Sequence, residues 1–373
     1  MNKASHILVV ASGDQGQSTK SLTQDVLNQL QGDDTKITVM APDQSQIEGY
    51  AGITVSQKSM TPSNNPLVRW YRALAFCCCV IFARLRYGEI SSVLLTSQPS
   101  ASYPVFFLRN LLKYQVVQLI SQPVSWTPKN GLCLTKADRV FYLQSMRESM
   151  LEAIACQWKE CPNTTAHQQA QDIIQSERYT PFKMGYIYVD QPMQEENSLK
   201  RVFCETQTRN LAHLLDALAH IRKENRPAIY LKETGANIHK NTDIKHQSTL
   251  LGCQRCEEDV QWAPGNIYLA LPGNLDNERQ VLKALSTGMC VIIPADGSFW
   301  DLALSNQVNC LKYKPYDMSS LKEKLEQVKA NPVALQNIAK AGAHIAHGYR
   351  ADKCYTSIIS ALTNRSTTEQ HHD

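Results

Sequence analysis

With 373 residues, the chain is longer than a single compact core of about 250–300 residues, so two domains are expected. Hydrophobic residues make up 43% and charged residues 19%, a balance that excludes collagen-like, low-complexity and wholly disordered classes. Thirty-eight Lys and Arg against 34 Asp and Glu leave a net charge of +4, too little to favour nucleic acid as the main partner.

The first predicted elements are a strand, a glycine-containing loop and a helix. Residues 7–11 form an apolar run typical of a buried strand, and residues 12–19 are rich in Gly, Ser and Thr. The helix is indicated by apolar side chains at helical spacing, namely Leu22, Val26, Leu27 and Leu30. An apolar run of five residues is too short for the core of a signal peptide, so export is not expected.

The same alternation continues to about residue 158. Short runs rich in Val, Ile and Leu predict strands at residues 37–41, 93–96, 116–120 and 140–143. Helices are predicted between them, at residues 69–86, 105–112 and 145–158. Ser145 and Glu148 form a capping box, which predicts Ser145 as the N-cap of the last of these helices. Alternation of this kind indicates a parallel sheet with helices on both faces.

The most membrane-like stretch of the chain runs from Ala73 to Ala83, within the segment from Trp70 to Arg86. Its eleven uncharged residues, 73–83, fall short of the ~18 needed to span a bilayer. Four arginines flank this run, at positions Arg69, Arg72, Arg84 and Arg86. Two interpretations stay open. The segment is a crossover helix packed on the sheet, or it lies on an anionic membrane surface, where flanking arginines and Trp70 favour binding.

Cysteine usage indicates a reducing environment. Twelve cysteines at irregular spacing are too few for a disulfide scaffold, so reduced thiols are expected. Cys253 and Cys256 form a CxxC pair, but the sequence has no second pair or HxxxH motif at the spacing of a zinc site. No metal site is therefore predicted.

The pattern breaks between residues 161 and 198, a polar segment in which only residues 184–189 look like a strand. The domain boundary is placed there. The sequence predicts an N-terminal domain over residues 1–188, a C-terminal domain over 189–345, and a final segment over 346–373 that holds a helix and a frayed tail.

Strands and helices alternate again in the second half. Strands are predicted at residues 201–204, 228–231, 249–251, 267–271 and 290–293. The first helix carries one apolar stripe, formed by Leu211, Leu214, Leu215, Leu218 and Ile221. A helix over about residues 277–287 ends at Gly288, and Ser320 with Glu323 forms a second capping box.

The region from Asn266 to Leu362 resembles the C-terminal domain of glycosyltransferase family 4, retaining enzymes that use a nucleotide-activated sugar. The order and spacing of the family's motifs match the run IYLALPGNLDNERQVLKALSTGMCVIIPADGSFWDLALSNQVNCLKY. Three further runs match upstream family elements, namely VFCETQTRNL, IYLKETG and, at the glycine-rich first loop, ASGDQGQST. The resemblance implies an α/β chain with the GT-B fold, in which two Rossmann-like domains face each other across a cleft. It also implies an N-terminal acceptor domain, a C-terminal nucleotide-sugar domain and a last helix that crosses back.

The resemblance places the family's donor-binding positions on particular residues. Its basic pair on the donor diphosphate falls on Cys204 and Arg209, so one cation is kept. Its two acidic residues, spaced eight apart, fall on Leu275 and Lys283, and both are lost. An acidic turn residue, a glycine before it and a histidine of the family fall on Glu233, Lys232 and Ser97.

A nucleotide sugar presents a diphosphate, which free backbone N–H groups at a helix N-terminus bind well when one or two cations assist. Gly13 and Gly16 lie between a strand and a helix, as phosphate loops do, or they form only a tight turn. Asp276 or Asn277 can cap the helix that follows, whose free amides then face the donor. Arg209 is the best single candidate for the diphosphate, against the alternative of a solvated surface arginine.

Two carboxylates are candidates for catalysis. Asp14 can orient an acceptor hydroxyl, or it can be a structural turn residue. Glu278 can bind a ribose or sugar hydroxyl and, with Asp276, replace the missing acidic pair, or it can simply serve the helix dipole. Stabilisation of the departing phosphates is the essential requirement, because negative charge grows there as the glycosidic bond breaks.

The resemblance thus implies a cytoplasmic glycosyltransferase, of hexosyltransferase type, acting in glycoconjugate or polysaccharide assembly. Its donor substrate is a nucleotide-diphosphate sugar, with no other cofactor, and its acceptor is a glycan or a lipid-linked molecule. Peripheral contact with the inner face of the membrane through the segment from Trp70 to Arg86 suits a lipid-linked acceptor. The alternative is a GT-B protein that has lost catalysis and acts as a binding or scaffold subunit, which the lost family positions favour.

Overall fold

The chain folds into two compact units. A computed structural model describes residues 6–11, 17–31, 35–41, 50–54, 66–96, 98–158, 163–186, 201–206, 208–233, 248–255, 262–273 and 277–363. One unit is Met1–Gly185 together with Ala351–Asp373, and the other is Tyr186–Arg350. The chain therefore passes from the first unit into the second and returns to the first.

A seven-stranded parallel sheet forms the centre of the first unit, with strand order β3-β2-β1-β4-β5-β6-β7. Its strands are β1 His6–Val10, β2 Lys36–Ala41, β3 Ala51–Thr54, β4 Ser92–Leu95, β5 Gln115–Ile120, β6 Arg139–Leu143 and β7 Tyr179–Phe182. Every residue of β1 is buried. Both faces of the sheet are covered, which explains why its strands read as unbroken apolar runs.

Helices cover both faces of this first sheet. They are α1 Gln17–Leu30, α2 Pro66–Tyr87, α3 Tyr103–Leu112, α4 Pro128–Lys136, α5 Arg147–Ala155 and α6 Asn163–Ile174. Residues of β1 divide between the two faces in strict alternation. Ile7 and Val9 pack with α1, whereas Leu8 and Val10 pack with α2 and α3. The predicted parallel sheet with helices on both faces is confirmed.

Six parallel strands form the second sheet, in the order β10-β9-β8-β11-β12-β13. The strands are β8 Val202–Thr206, β9 Ile229–Glu233, β10 Cys253–Arg255, β11 Ile267–Leu269, β12 Cys290–Pro294 and β13 Leu311–Tyr313. The helices of this unit are α7 Thr208–Ala219, α8 Asn277–Ser286, α9 Phe299–Ala303, α10 Met318–Ala330 and α11 Pro332–Ala346. Each sheet follows the doubly wound order in which the chain reverses direction beside its first strand.

Two short helices at the end of the chain, α12 Ala351–Cys354 and α13 Thr356–Thr363, complete the first unit. Tyr355, Ile358 and Leu362 are fully buried there in the same core as α1. The Tyr355 hydroxyl accepts a hydrogen bond from the backbone N–H of Gly185 at 2.9 Å and contacts its carbonyl oxygen at 3.1 Å. A Cβ at Gly185 would lie 2.8 Å from the Cα of Ala351, so glycine permits this close approach.

Both predicted capping boxes are wrong. Ser145 lies inside a 3₁₀ turn over Gln144–Met146, and α5 begins only at Arg147. In the second unit, the Asp317 carboxylate accepts hydrogen bonds from the amides of Ser319 and Ser320 at 3.0 and 3.1 Å. Asp317 is therefore the N-cap of α10, and Ser320 lies in the first turn of the helix.

Two strand predictions also need correction. Residues 248–250 form a helical turn rather than a strand, and β10 begins at Cys253, after Gly252 at φ 82°. The polar segment after residue 161 contains both α6 and β7, which its composition concealed. Of the strand predicted at 184–189, Tyr186 forms only an isolated bridge to Arg350, and residues 187–189 lie outside the described part of the chain.

The polar helix α6 was missed because its buried stripe is narrow. It buries Ala166, Ala170 and Ile174, one residue per turn, and its other residues include three glutamines and further polar side chains. Strand β3 was missed because its sequence, AGIT, begins with two residues that are depleted in strands. Ten cysteines fall in the described residues, and all ten are free thiols.

Candidate functional site

The carboxyl edge of the second sheet is the place where its topology favours ligand binding. The chain runs outward from β8 through β9 to β10, and then returns to place β11 on the other side of β8. Ligands of open parallel sheets bind outside the carboxyl ends of the strands at such a point. Both α7, after β8, and α8, after β11, begin at this edge, so their free amide groups point toward it.

A pocket opens at the same edge. It is a shallow depression with about 300 Å³ of empty space, open solvent included. Its lining residues come from α7, from the segment after β11, and from the end of β13 through the start of α10, namely His213, Leu271, Pro272, Tyr313, Tyr316, Asp317, Met318 and Leu321. Three separate stretches of the chain therefore contribute to its wall, which is largely apolar with two phenol rings and one imidazole.

Hydrogen bonds and ring contacts hold this wall in place. The Tyr313 hydroxyl donates to the carbonyl oxygen of Ala270 at 2.8 Å, across the end of the sheet. The rings of His213 and Tyr316 meet edge to face, with centroids 5.4 Å apart. Tyr316 has φ 59°, in the left-handed region that costs a non-glycine residue about 1–2 kcal/mol. Such strain is a feature of ligand-binding positions, where the fold holds a side chain in one place.

Asn277 joins the pocket to α8. Its side-chain amide donates to the carbonyl oxygen of Leu271, a lining residue, at 2.6 Å. The other side-chain atom, Oδ1, is buried and accepts no hydrogen bond from any residue that the structure describes. A buried acceptor of this kind calls for a partner. A hydroxyl or amide of a bound molecule would supply one.

Glu278 follows in the first turn of α8 and is half-buried. Burial raises the pKa of its carboxyl above the ordinary value, because the charged form loses water. Its backbone carbonyl accepts a hydrogen bond from the indole N–H of Trp300 at 2.6 Å, which fixes the first turn against α9. The structure thus brings two of the sequence-predicted residues, Asn277 and Glu278, to the pocket's side of the sheet.

The other predicted residues are placed only in part. Arg209 is the second residue of α7 and Glu233 the last residue of β9, so both backbones lie at the carboxyl edge. The side chains of Arg209 and Glu233 lie outside the part of the chain that the structure describes. The same holds for the whole of Gly13, Asp14, Gly16, Ser97, Leu275 and Asp276.

Cys204 and Lys283 stand where the family has charged donor-binding residues. Both make structural contacts within the second unit. Cys204 is completely buried in β8, and that burial raises the pKa of its thiol far above the ordinary value. A core residue of this kind cannot contact a phosphate. The Lys283 ammonium lies 4.5 Å from the centre of the Trp262 ring, a cation–π distance.

Sequence reasoning missed an ion pair at the same edge. Glu205, next to the end of β8, is 4% exposed, and its carboxylate lies 3.7 Å from the Lys232 ammonium on β9. It also missed His213, Tyr313 and Tyr316 as lining residues. A usable signal existed for the tyrosines, since Tyr313 ends a strand and Tyr316 follows within three residues, at the edge where ligands bind.

The first unit has a polar network at the carboxyl ends of β4 and β5. The buried side chain of Asn130 accepts from the Ser100 amide and donates to the Ser125 carbonyl oxygen, each at 2.8 Å. Gln98 donates to the Pro123 carbonyl oxygen at 2.7 Å. These bonds tie the two loops together and hold their shape.

Within the described ranges, no group of three or more His, Cys, Asp or Glu side chains is arranged to hold a metal ion. Cys253 of the CxxC pair is buried in β10, and Cys256 lies outside those ranges.

Solved structures share this architecture over nearly the whole chain. A glycosyltransferase from Rickettsia africae ESF-5 matches with a TM-score of 0.71 and 12% identity, covering 98% of this chain and 100% of that one. Anabaena HepE, solved in complex with UDP-glucose, matches with a TM-score of 0.64 and 14% identity over 96% and 99% of the two chains. Sucrose-phosphate synthase from Thermosynechococcus elongatus matches with a TM-score of 0.61 and 12% identity over 96% and 98%.

No protein-family model and no curated sequence matches the chain. The structural likenesses, at low identity, establish the fold. The chain has the GT-B fold, with a doubly wound α/β sheet in each unit, and its resemblance to GT-B glycosyltransferases is confirmed.

Proposed function

We propose that this protein is a glycosyltransferase that moves a sugar from a nucleotide-diphosphate sugar to a glycan or lipid-linked acceptor, as in glycoconjugate or polysaccharide assembly. The observation that carries the proposal is the pocket beside the chain reversal of the second sheet. Its apolar wall and the rings of His213 and Tyr316 suit the flat face of a nucleoside base. The N-termini of α7 and α8 begin at the same edge and suit a diphosphate.

The proposed roles follow from this placement. The base lies against Tyr316, and a ribose hydroxyl reaches the buried Oδ1 of Asn277. Arg209 and the amides of α7 neutralise the diphosphate, whose negative charge increases as the sugar departs. Glu278 binds a sugar or ribose hydroxyl, and Asp276 and Glu233 are proposed as further donor-binding residues.

The first unit is proposed to hold the acceptor, with Gly13 and Gly16 as ligand-binding residues and Asp14 orienting the acceptor hydroxyl. The donor is a substrate and no separate cofactor is required. We place the reaction in the cytoplasm, at the inner face of the membrane when the acceptor is lipid-linked.

Calorimetric titration tests the donor site directly. The purified chain is titrated with uridine, guanosine and adenosine diphosphates, and we expect one of them to bind. Tyr316→Asn removes the ring but keeps a residue that tolerates left-handed backbone. Loss of base stacking of about 1–3 kcal/mol predicts at least a fivefold weaker Kd. The matched control is Gln307→Asn, at an exposed position that also has positive φ. Equal binding by Tyr316→Asn and the wild type would contradict the assigned pocket.

A catalytically inactive binding or scaffold subunit is the second candidate. It is favoured by the burial of Cys204 in the core and by the engagement of Lys283 with the Trp262 ring, since both replace charged groups of the family. Absence of binding by all three nucleotides to folded protein would support the scaffold. Nucleotide binding that Arg209→Ala abolishes would support the transferase.

Two variants test whether Glu278, with Asp276, replaces the acidic pair that is lost at Leu275 and Lys283. In a donor-hydrolysis assay, we expect Glu278→Gln to lose far more activity than Lys283→Ala. The reverse order would show that the donor is held elsewhere along this edge.

A further inference from the structure

Helix α2 has two apolar faces, of which the first sheet covers only one. Phe76, Val80 and Ala83 are buried against the sheet. The opposite face is exposed along the whole helix. Its members, with their exposed fractions, are Leu67 79%, Trp70 76%, Tyr71 73%, Leu74 58%, Ile81 37%, Phe82 50% and Leu85 80%. At 100° per residue these positions form a stripe roughly 120° wide. A helix that is apolar on opposite sides is normally covered on both.

The neighbouring helix α3 extends this face. Phe107 and Leu111, one helical turn apart, are 78% and 71% exposed. Val105 and Leu108 on the other side of α3 belong to the same buried cluster as the inner face of α2. Since both helices cover one face of the sheet, their outer sides point the same way. We call these nine exposed side chains the α2–α3 surface.

The α2–α3 surface is larger than a monomer normally exposes. Its four aromatic side chains are each at least half exposed, so they alone present roughly 400–700 Å². The five aliphatic side chains add to that. The largest apolar patch on a typical monomer is about 300–600 Å², and larger ones mark sites of interaction.

The charge around this surface is mainly positive, with Arg84 paired to Glu89 and Arg109 paired to Asp138. Between Pro66 and Tyr114 the chain carries six of its 38 Lys and Arg but only one of its 34 Asp and Glu, Glu89. The rest of the chain is close to neutral. Arg84 and Arg86 in the last turn of α2 lie on either side of the exposed stripe. This arrangement complements a surface that is both apolar and anionic.

A lipid bilayer containing anionic headgroups has both properties. A second copy of this chain fits less well, because docking the two surfaces would bring twelve basic residues together with two acidic ones. Among the described residues, no helix combines the length and hydropathy needed to cross a bilayer. An exposed apolar stripe with Trp, Phe and Leu and with flanking arginines is instead the pattern of a helix lying in the membrane interface.

We propose that the α2–α3 surface docks this protein on an anionic lipid bilayer. The exposed Leu, Ile, Phe and Trp side chains enter the boundary between headgroups and acyl chains. The flanking Arg and Lys side chains contact lipid phosphates. This inference concerns a surface distinct from the nucleotide pocket and holds whichever nucleotide sugar is bound, so the two can fail independently.

Vesicle flotation without nucleotide tests the docking. The full chain is mixed with vesicles of phosphatidylcholine alone or of phosphatidylcholine with an equal part of phosphatidylglycerol. We expect binding to the anionic vesicles, weakened roughly tenfold or more on neutral vesicles and reduced by high salt. The triple variant Trp70→Gln, Leu74→Gln, Leu85→Gln keeps the buried face of α2 and should lose binding by at least roughly tenfold.

Leu302→Gln is the matched control, because Leu302 is 80% exposed on α9 in the second unit. It should bind vesicles as the wild type does. A charge variant, Arg86→Gln with Lys113→Asn, should weaken only the anionic component; Asn suits the left-handed φ of 54° at Lys113. The proposal fails if the wild-type protein floats with neither the neutral nor the anionic vesicles. It also fails if the triple variant floats like the wild type, or if sedimentation shows that the wild type dimerises through this surface and the triple variant does not.

Discussion

At the scale of single residues, the candidate donor site contains a carboxyl group in a partly dry environment. Burial raises the pKa of Glu278. The folded chain therefore holds the protonated form more readily than the unfolded chain does, and ionisation opposes folding. Perturbed carboxyl groups at the edge of a pocket are typical of functional sites. Glu278 has a raised pKa, and its neighbour Asn277, bonded to the pocket residue Leu271, has a buried acceptor atom with no partner among the described residues.

We expect Glu278→Gln to stabilise the free protein at about pH 8, because it removes the charge that burial disfavours. Because the pKa of Glu278 is raised in the folded chain, the change in stability is positive. The gain is present above that pKa and vanishes as the pH falls toward about 4, where glutamate is protonated in both states. Melting temperatures measured from about pH 4 to pH 8 check this. The control is Glu148→Gln, which changes an exposed glutamate in the first turn of α5. A Glu278→Gln variant that melts below the wild type at pH 8 would refute the interpretation.

At the scale of elements, the first unit depends on α12 and α13, the two helices nearest the C-terminal end of the sequence. The side chain of Tyr355, between α12 and α13, is fully buried and is hydrogen-bonded to the backbone of Gly185. The Ser92 hydroxyl on β4 donates to the carbonyl oxygen of Leu362 at 2.8 Å. Both bonds join segments that are more than 150 residues apart. The position of α13 is therefore set by specific polar contacts as well as by apolar burial.

Tyr355→Phe tests this attachment. The variant keeps the ring in the core but leaves the buried N–H of Gly185 without its acceptor, a loss of about 1–3 kcal/mol in the free energy of unfolding. Chemical denaturation measures it. Tyr103→Phe is the control, because the Tyr103 ring is only partly buried and keeps its contact with Lys129. It should change stability by less than about 0.5 kcal/mol. Equal stability of the two variants would show that the Tyr355 hydroxyl does not contribute.

At the scale of the whole molecule, each unit has its own sheet and its own core. The first unit is discontinuous in sequence, since residues from both ends of the chain build it. Three fully buried side chains of the final segment, Tyr355, Ile358 and Leu362, belong to the core around β1. Burial of such a side chain stabilises by about 1.5–3 kcal/mol, so the three together match much of the stability of a typical domain.

Deletion of Ala351–Asp373 should therefore unfold the first unit and leave the second folded. Limited proteolysis is expected to degrade the first unit while a fragment matching Tyr186–Arg350 survives. Deletion of only residues 366–373, predicted from sequence as a frayed tail, should change nothing. If the long deletion leaves the first unit as resistant to protease as in the full chain, the final helices are not part of its core.

The regular alternation of the chain was predictable because its causes are local. Residues 7–11 and Leu22, Val26, Leu27 and Leu30 are buried as expected, since period and composition over a few residues decide which face of an element is apolar. Errors occurred where two local signals compete. Asp317 lies three residues before Ser320 and caps α10 in its place, and alanines give α6 a buried stripe that a hydropathy pattern hardly shows.

The sequence by itself determined the two α/β halves, the place of α8 and hence the location of Asn277 and Glu278. Tertiary structure decided which distant segments meet. The pocket joins His213, Leu271 and Tyr316, and no local pattern links these residues because their proximity depends on which strands are neighbours in the sheet. The sheet likewise decided which apolar face of α2 is buried and which remains exposed, since a helix that is apolar on both sides has no inner face until it packs.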